Sequence, residues 1–321
     1  MNTVLTTSWF RLKEFFLNNP KAAIGIVLVL GVCILCFFAP LFTDYLPNAR
    51  IARPHEAPSA EHILGTTRMG RDVWSQVIYG GRISILVGLV AGIFVMFMAM
   101  VVGISAGYFG GIVDNILSFL TNVVMVIPSL PLMLVLASYL DQVSPLVIAI
   151  IIGATSWPFG ARVIRAQTLS IRNRDFIHAA EVMGESKKRM VFFEVMPNML
   201  AILGSSFIST VIYAIMTEAT LEFIGLGDPL SVTWGVMLYN AQQTSAIRIG
   251  AWWEILAPSM ALASLAIGLA LINFSIDEIS NPKLRAQKIM AKFRREQAKE
   301  NKRHKAQAEG KTGSEMVGGA V

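Results

Sequence analysis

Glu218 and Glu222 stand one helical turn apart in an apolar stretch, the only carboxylates that the sequence holds at membrane depth. Residues four apart share a helix face. The pair therefore either caps or hydrogen-bonds a neighbouring helix or lines a gate, and the sequence leaves both open. Two carboxylates do not make a proton pathway. Other reactive types are sparse. Cys33 and Cys36 cannot close a zinc site alone and lack the soluble βαβ setting of a redox pair, so they read as packing. His55, His62, His178 and His304 are scattered, with no nucleophile–base set or metal-ligand spacing, and His62 beside Glu61 reads as exposed loop. Gly310-Lys311-Thr312 ends like a phosphate loop, but Lys305 stands where the first glycine belongs and no strand precedes it. The expectation is a chain that is not an enzyme, with no catalytic residues, metal or cofactor.

The elements that would carry these residues are membrane spans. Hydrophobic residues make up 54% of the 321 and charged ones 15%, and mean hydropathy is +0.58, too little charge for an ordinary soluble surface. Six apolar runs are long enough to cross a hydrocarbon core of ~30 Å: 22–42, 83–106, 116–140, 143–161, 200–220 and 255–276. Pro128 and Pro131 interrupt the third and Pro158 the fourth. All but six of the 27 Lys and Arg residues fall on one side of this arrangement; the six are Arg50, Arg53, Arg68, Arg71, Arg82 and Arg248. The positive-inside rule then sets both termini inside. Trp252 and Trp253 sit at the outer mouth of the last span, as interfacial aromatics do. The net charge of +6 is mostly this topology signal and argues against nucleic-acid binding. A cleaved signal peptide is disfavoured, because the first run starts late, runs long and ends at Ala39-Pro40 without a small-x-small site.

Three divisions follow. Residues 1–82 hold an interfacial helix around Trp9–Leu17, the first span and an outer loop, whose last part reads as an amphipathic helix running into the second span. Residues 83–280 form the core, and 281–321 a basic tail. In the second span Ser84, Gly88, Gly92, Ala99, Gly103 and Gly107 form a stripe of small residues, which lets helix backbones approach closely. Within the core, the polar stretch 162–197 is a surface for a soluble partner. Phe176, Ile177, Ala179, Ala180, Val182 and Met183 make a short helix with an apolar patch, followed by Gly184 and then by Pro197, read as a helix stop. Small Ala and Gly residues suit close docking, and the patch needs a protein to bury it.

The pattern of Ala179-Ala180, Gly184 and Pro197 resembles the cytoplasmic coupling loop of ABC importer permeases. Outside, Gly65, Thr66, Gly70, Arg71, Asp72, Tyr79, Gly80, Arg82 and Ser84 match in order and spacing the second permease of dipeptide, oligopeptide and nickel importers, the DppC/OppC type. EATLEFIGLG with Trp234-Gly235 and Met237-Leu238 resembles the same family's segment after the fifth span. The resemblance covers about residues 20 to 282. His178 stands where the general motif begins with Glu, and Glu181 follows three residues later.

The resemblance implies an all-α membrane protein of the type I ABC importer permease fold, six-spanning, N-in and C-in, in a bacterial or archaeal plasma membrane. It implies a second homologous permease subunit, one or two ABC ATPase subunits holding ATP and Mg, and an extracytoplasmic substrate-binding protein. It assigns ATPase coupling to Phe176, Ala179, Ala180, Glu181, Gly184, Ser186, Lys187, Arg189 and Pro197. It assigns binding-protein contact or an outer gate to Gly65, Thr66, Gly70, Arg71, Asp72, Glu218, Glu222 and Trp234. Peptides are the expected cargo, with nickel, haem or oligosaccharides as alternatives. A secondary transporter or channel is the reading from a different class.

Overall fold

The computed structural model describes residues 19–140 and 143–280, with residues 290, 294 and 297 as isolated helical positions. The segment around Trp9–Leu17, Asp141 and nearly all of the 281–321 tail lie outside the described residues. The chain divides into one compact unit ending at Ser275 and a second beginning at Ile276.

Among the described residues the secondary structure is helical, apart from one isolated bridge between Thr66 and Asp72. Helix α1 (Pro20–Phe37) is followed by a 3-10 turn, Ala39–Leu41, and a long outer loop. Helix α2 (Val73–Phe109) has 37 residues, about 55 Å at 1.5 Å per residue, longer than the ~30 Å hydrocarbon core needs. The expected amphipathic helix and second span are thus one element, and the division drawn at residues 82 and 83 falls inside it. Helix α3 (Gly111–Val126) and α4 (Ser129–Ser138) make up the third apolar run, which breaks at the expected Pro128. They meet at 83°, because Pro128 holds the preceding Ile127 extended and out of the helical region.

Helix α5 (Pro145–Arg172) passes through Pro158 without breaking. The short α6 (Asp175–Val182) leads to a turn at Lys187–Arg189 and a π-type stretch, Met190–Val195, that opens into α7 (Met196–Leu221). Pro197 lies where the π-type stretch passes into α7, inside a helical run that continues from Lys187 to Leu226; it does not stop the helix. A second π-type stretch, Glu222–Leu226, precedes the ten-residue α8 (Trp234–Gln243) and α9 (Trp253–Ser280). By length and composition five helices can cross a membrane, or six with the bent α3–α4 pair as one span.

The stripe of small residues explains how these helices close up. A Cβ on Gly92 would lie 2.7 Å from Val211 of α7, and one on Gly103 2.6 Å from the carbonyl of Ala161 in α5. The same face of α2 therefore packs on α7 near its outer end and on α5 near its inner end, inside a single subunit. At the inner end the Arg165 guanidinium also donates twice to Asp114, at 2.5 and 2.6 Å, tying α5 to α3.

Candidate functional site

The polar stretch between α5 and α7 builds a helix with two unlike faces. Ile177 is fully buried and Ala180 only 7% exposed, seated on a core with Ile171, Met190, Val195 and Met199. On the other side Phe176, Ala179, Val182 and Met183 are exposed, Val182 at 88% and Met183 at 76%. The patch read from sequence as one surface is therefore split, and Ala180 belongs to the chain's own interior. Gly184 ends the helix at φ +82. Its N–H donates to the Glu181 carbonyl at 3.0 Å, and the Glu185 N–H to the Ala180 carbonyl at 3.2 Å, the paired bonds of a Schellman cap. A Cβ at Gly184 would meet nothing within 4 Å, so the glycine serves the backbone turn and not close packing within the chain.

Polar groups frame this ridge. Ser186 faces the Arg189 N–H at 3.4 Å, Arg189 pairs with Glu185 at 3.0 Å, and His178 stands 3.7 Å from Glu181 in an exposed pair. Lys187 and Lys188 are exposed and unpaired among the described ion pairs. Phe192 and Phe193, which the motif did not single out, are also exposed, at 61% and 70%. Their position before Pro197 in an aromatic pair was a readable signal.

The outer residues behave in the opposite way. Thr66 is fully buried; its hydroxyl donates to the Arg53 carbonyl at 2.7 Å and accepts from the Glu56 N–H at 2.9 Å. Asp72 is buried and caps α2 through the Ser75 N–H at 2.7 Å, while His62 Nδ1 lies 3.0 Å from its other oxygen. His62 is thus 4% exposed, not solvated loop. Gly65 and Gly70 have φ of +68 each, a region other residues enter only with strain. The Gly70 carbonyl accepts from both Ile51 and Ala52. Arg71 is half-buried. Trp252 is exposed at the outer mouth, but Trp253 is buried and donates to the Thr66 carbonyl at 3.1 Å.

Glu218 and Glu222 are buried to within 1%. Ser84 donates to Glu218 at 3.1 Å and accepts from the Trp234 N–H at 3.3 Å. Thr233, which caps α8, donates to Glu222. Trp234 is fully buried and donates to the Val77 carbonyl at 2.9 Å. Oε2 of Glu218 and Oε1 of Glu222 accept from no other residue, and the two carboxyl groups lie within hydrogen-bonding reach of each other. The two carboxylates therefore bind α7 to α2 and to the start of α8. Helix-to-helix bonding was one of the two sequence readings. The second, a gate lining, has no open surface here.

The chain thus combines an exposed apolar ridge on α6 with a buried polar cluster that joins α2, α7 and α8. Residues 99–286 match the model of the family described as binding-protein-dependent transport system inner membrane component. The chain belongs to this family. It is 32% identical, over 82% of its length and 88% of the other's, to a putative peptide transport system permease protein of Brucella suis biovar 1. It is 30% identical to the dipeptide transport system permease protein DppC of Haemophilus influenzae, over 88% of this chain and 96% of that one. It is 27% identical to the oligopeptide transport system permease protein OppC of Bacillus subtilis, over 84% and 88%. The protein is a multi-pass inner-membrane permease component with the type I ABC permease fold, and the resemblance read from its motifs is correct.

Proposed function

We propose that this permease is one of two homologous membrane subunits of an ATP-driven importer that takes up peptides. The names of the related proteins support the cargo. One or two ATPase subunits carry ATP and Mg and dock on the cytoplasmic side, and an extracytoplasmic binding protein delivers substrate to the outer side. ATP hydrolysis belongs to the ATPase subunits. The observation that carries this reading is the ridge of Phe176, Ala179, Val182 and Met183, exposed on a helix whose other face is locked into the chain's own core. Exposed apolar side chains at this spacing need a partner's groove, and a helix seated on α5 and α7 passes a push on the ridge directly to the membrane helices. The ATPase then biases two arrangements of the spans through its differential grip on the ridge.

The double variant Val182→Glu/Met183→Glu tests the reading. It is expected to insert and fold normally, to lose co-purification with the ATPase subunits and to lose peptide uptake. Normal co-purification and uptake would remove α6 as the coupling element. Single cysteines at Ser59 and Ser170 test the orientation. Labelling from outside only at the first and from inside only at the second is expected, and labelling of both from one side would overturn it.

A further inference from the structure

Arg50, Arg68 and Arg71 of the outer loop line one pocket of about 440 Å³, together with Asn240, Gln243 and Thr244 at the end of α8. None of the three guanidinium groups has a carboxylate within ion-pair distance among the described residues. Arg71 lines the pocket while its own Nε–H is buried behind the surface, which leaves the outer nitrogens of its guanidinium to meet a ligand. Glu254 also lines the pocket, but one of its oxygens is held by His55 at 2.6 Å. Three guanidinium forks against the single Glu254 carboxylate leave the lining net positive and suit a carboxylate ligand, which a guanidinium binds through two parallel bonds.

The volume bears on where that carboxylate comes from. Small-molecule sites span roughly 300–1,000 Å³, and a lone acidic side chain from a docked protein would leave most of this pocket unfilled. A short peptide ending in a free carboxylate fits within it. We infer that the outer pocket of Arg50, Arg68 and Arg71 binds the terminal carboxylate of a short peptide. The choice of ligand rests on the peptide reading above.

The experiment uses the complete transporter in nanodiscs, without its binding protein, and two probes: dialanine and its C-terminal amide. Arg68→Gln and the double variant Arg50→Gln/Arg68→Gln change exposed side chains; Arg71→Gln is measured beside them, with melting temperature as the check on folding. Dialanine is expected to bind about tenfold or more tighter than the amide, corresponding to about one lost charge-assisted contact. The variants should lose that preference at unchanged melting temperature. Equal binding of acid and amide to the unaltered transporter, or a preference that survives all three variants, would overturn the site. So would variants that weaken only capture of the binding protein, which would assign the carboxylate to that protein. Dialanine binding that the variants abolish, in a transporter that moves no peptide, would keep the site and remove the peptide-uptake reading instead.

Discussion

The short cytoplasmic helix α6 and the outer cluster around Asp72 and Trp234 drew attention in the sequence for the same reason, as contacts for soluble partners. They are built in opposite ways. Helix α6 leaves apolar side chains in the open, Val182 and Met183 above all, and hides only Ile177 and Ala180. The outer cluster hides its polar side chains, with Thr66, Asp72, Glu218, Glu222 and Trp234 all buried and hydrogen-bonded within the chain. A surface for a partner shows itself by exposed groups that the chain does not satisfy. The members of the outer motif that are buried and satisfied within the chain have a structural role there.

Substitutions that separate stability from transport sharpen this contrast, and the largest effect belongs to neighbouring alanines. Ala180→Glu places a charge in the core beneath α6 and should destabilise the protein by about 3 kcal/mol, lowering the melting temperature and the amount in the membrane. Ala179→Glu, one position away and exposed, should leave melting unchanged and lose the ATPase subunits. The same result for both would mean that the two faces of α6 are not distinct. Next comes Asp72→Ala, which removes the cap of α2 and leaves His62 buried without its partner. A loss of about 2–3 kcal/mol is expected, seen as a lower melting temperature with uptake per folded molecule retained. Normal stability with failed binding-protein docking would return Asp72 to the outer contact surface.

A smaller effect is expected at Gly184. Its Cβ space is open and only its φ of +82 resists substitution, so Gly184→Ala should cost about 1–2 kcal/mol, and Gly184→Asn less, since Asn tolerates that conformation better. Equal losses for Ala and Asn, measured by thermal melting of both variants, would show that bulk and not backbone conformation matters. Smallest is His178→Ala, which removes one half of an exposed pair 3.7 Å from Glu181. Exposed pairs contribute about 0–1 kcal/mol, and neither melting nor uptake should change measurably. A clear loss of ATPase binding would give that position the partner contact which the general motif places there.

The apolar runs that can cross a membrane, the small-residue face of α2 and the family were all legible in the sequence. Each depends on local quantities, such as the length of apolar runs and the spacing of Ser84, Gly88, Gly92 and Gly103. The bend at Pro128 was visible as a proline but not as an angle of 83°, because a membrane proline either kinks or passes unnoticed according to its neighbours, as Pro158 does. Which side of α6 faces out was not legible either: Ala179 and Ala180 are the same residue, and only contact with Met190, Val195 and Met199 tells them apart. Trp253, Glu218 and Glu222 likewise carried no mark of their partners, Thr66, Ser84 and Thr233, which lie 187, 134 and 11 positions away. Sequence by itself determined which runs are apolar and long enough to cross a membrane, since these follow from transfer free energies summed along short windows. Tertiary structure alone decided which polar residues are locks and which apolar ones are surfaces, since burial and hydrogen bonding arise between segments far apart in the chain.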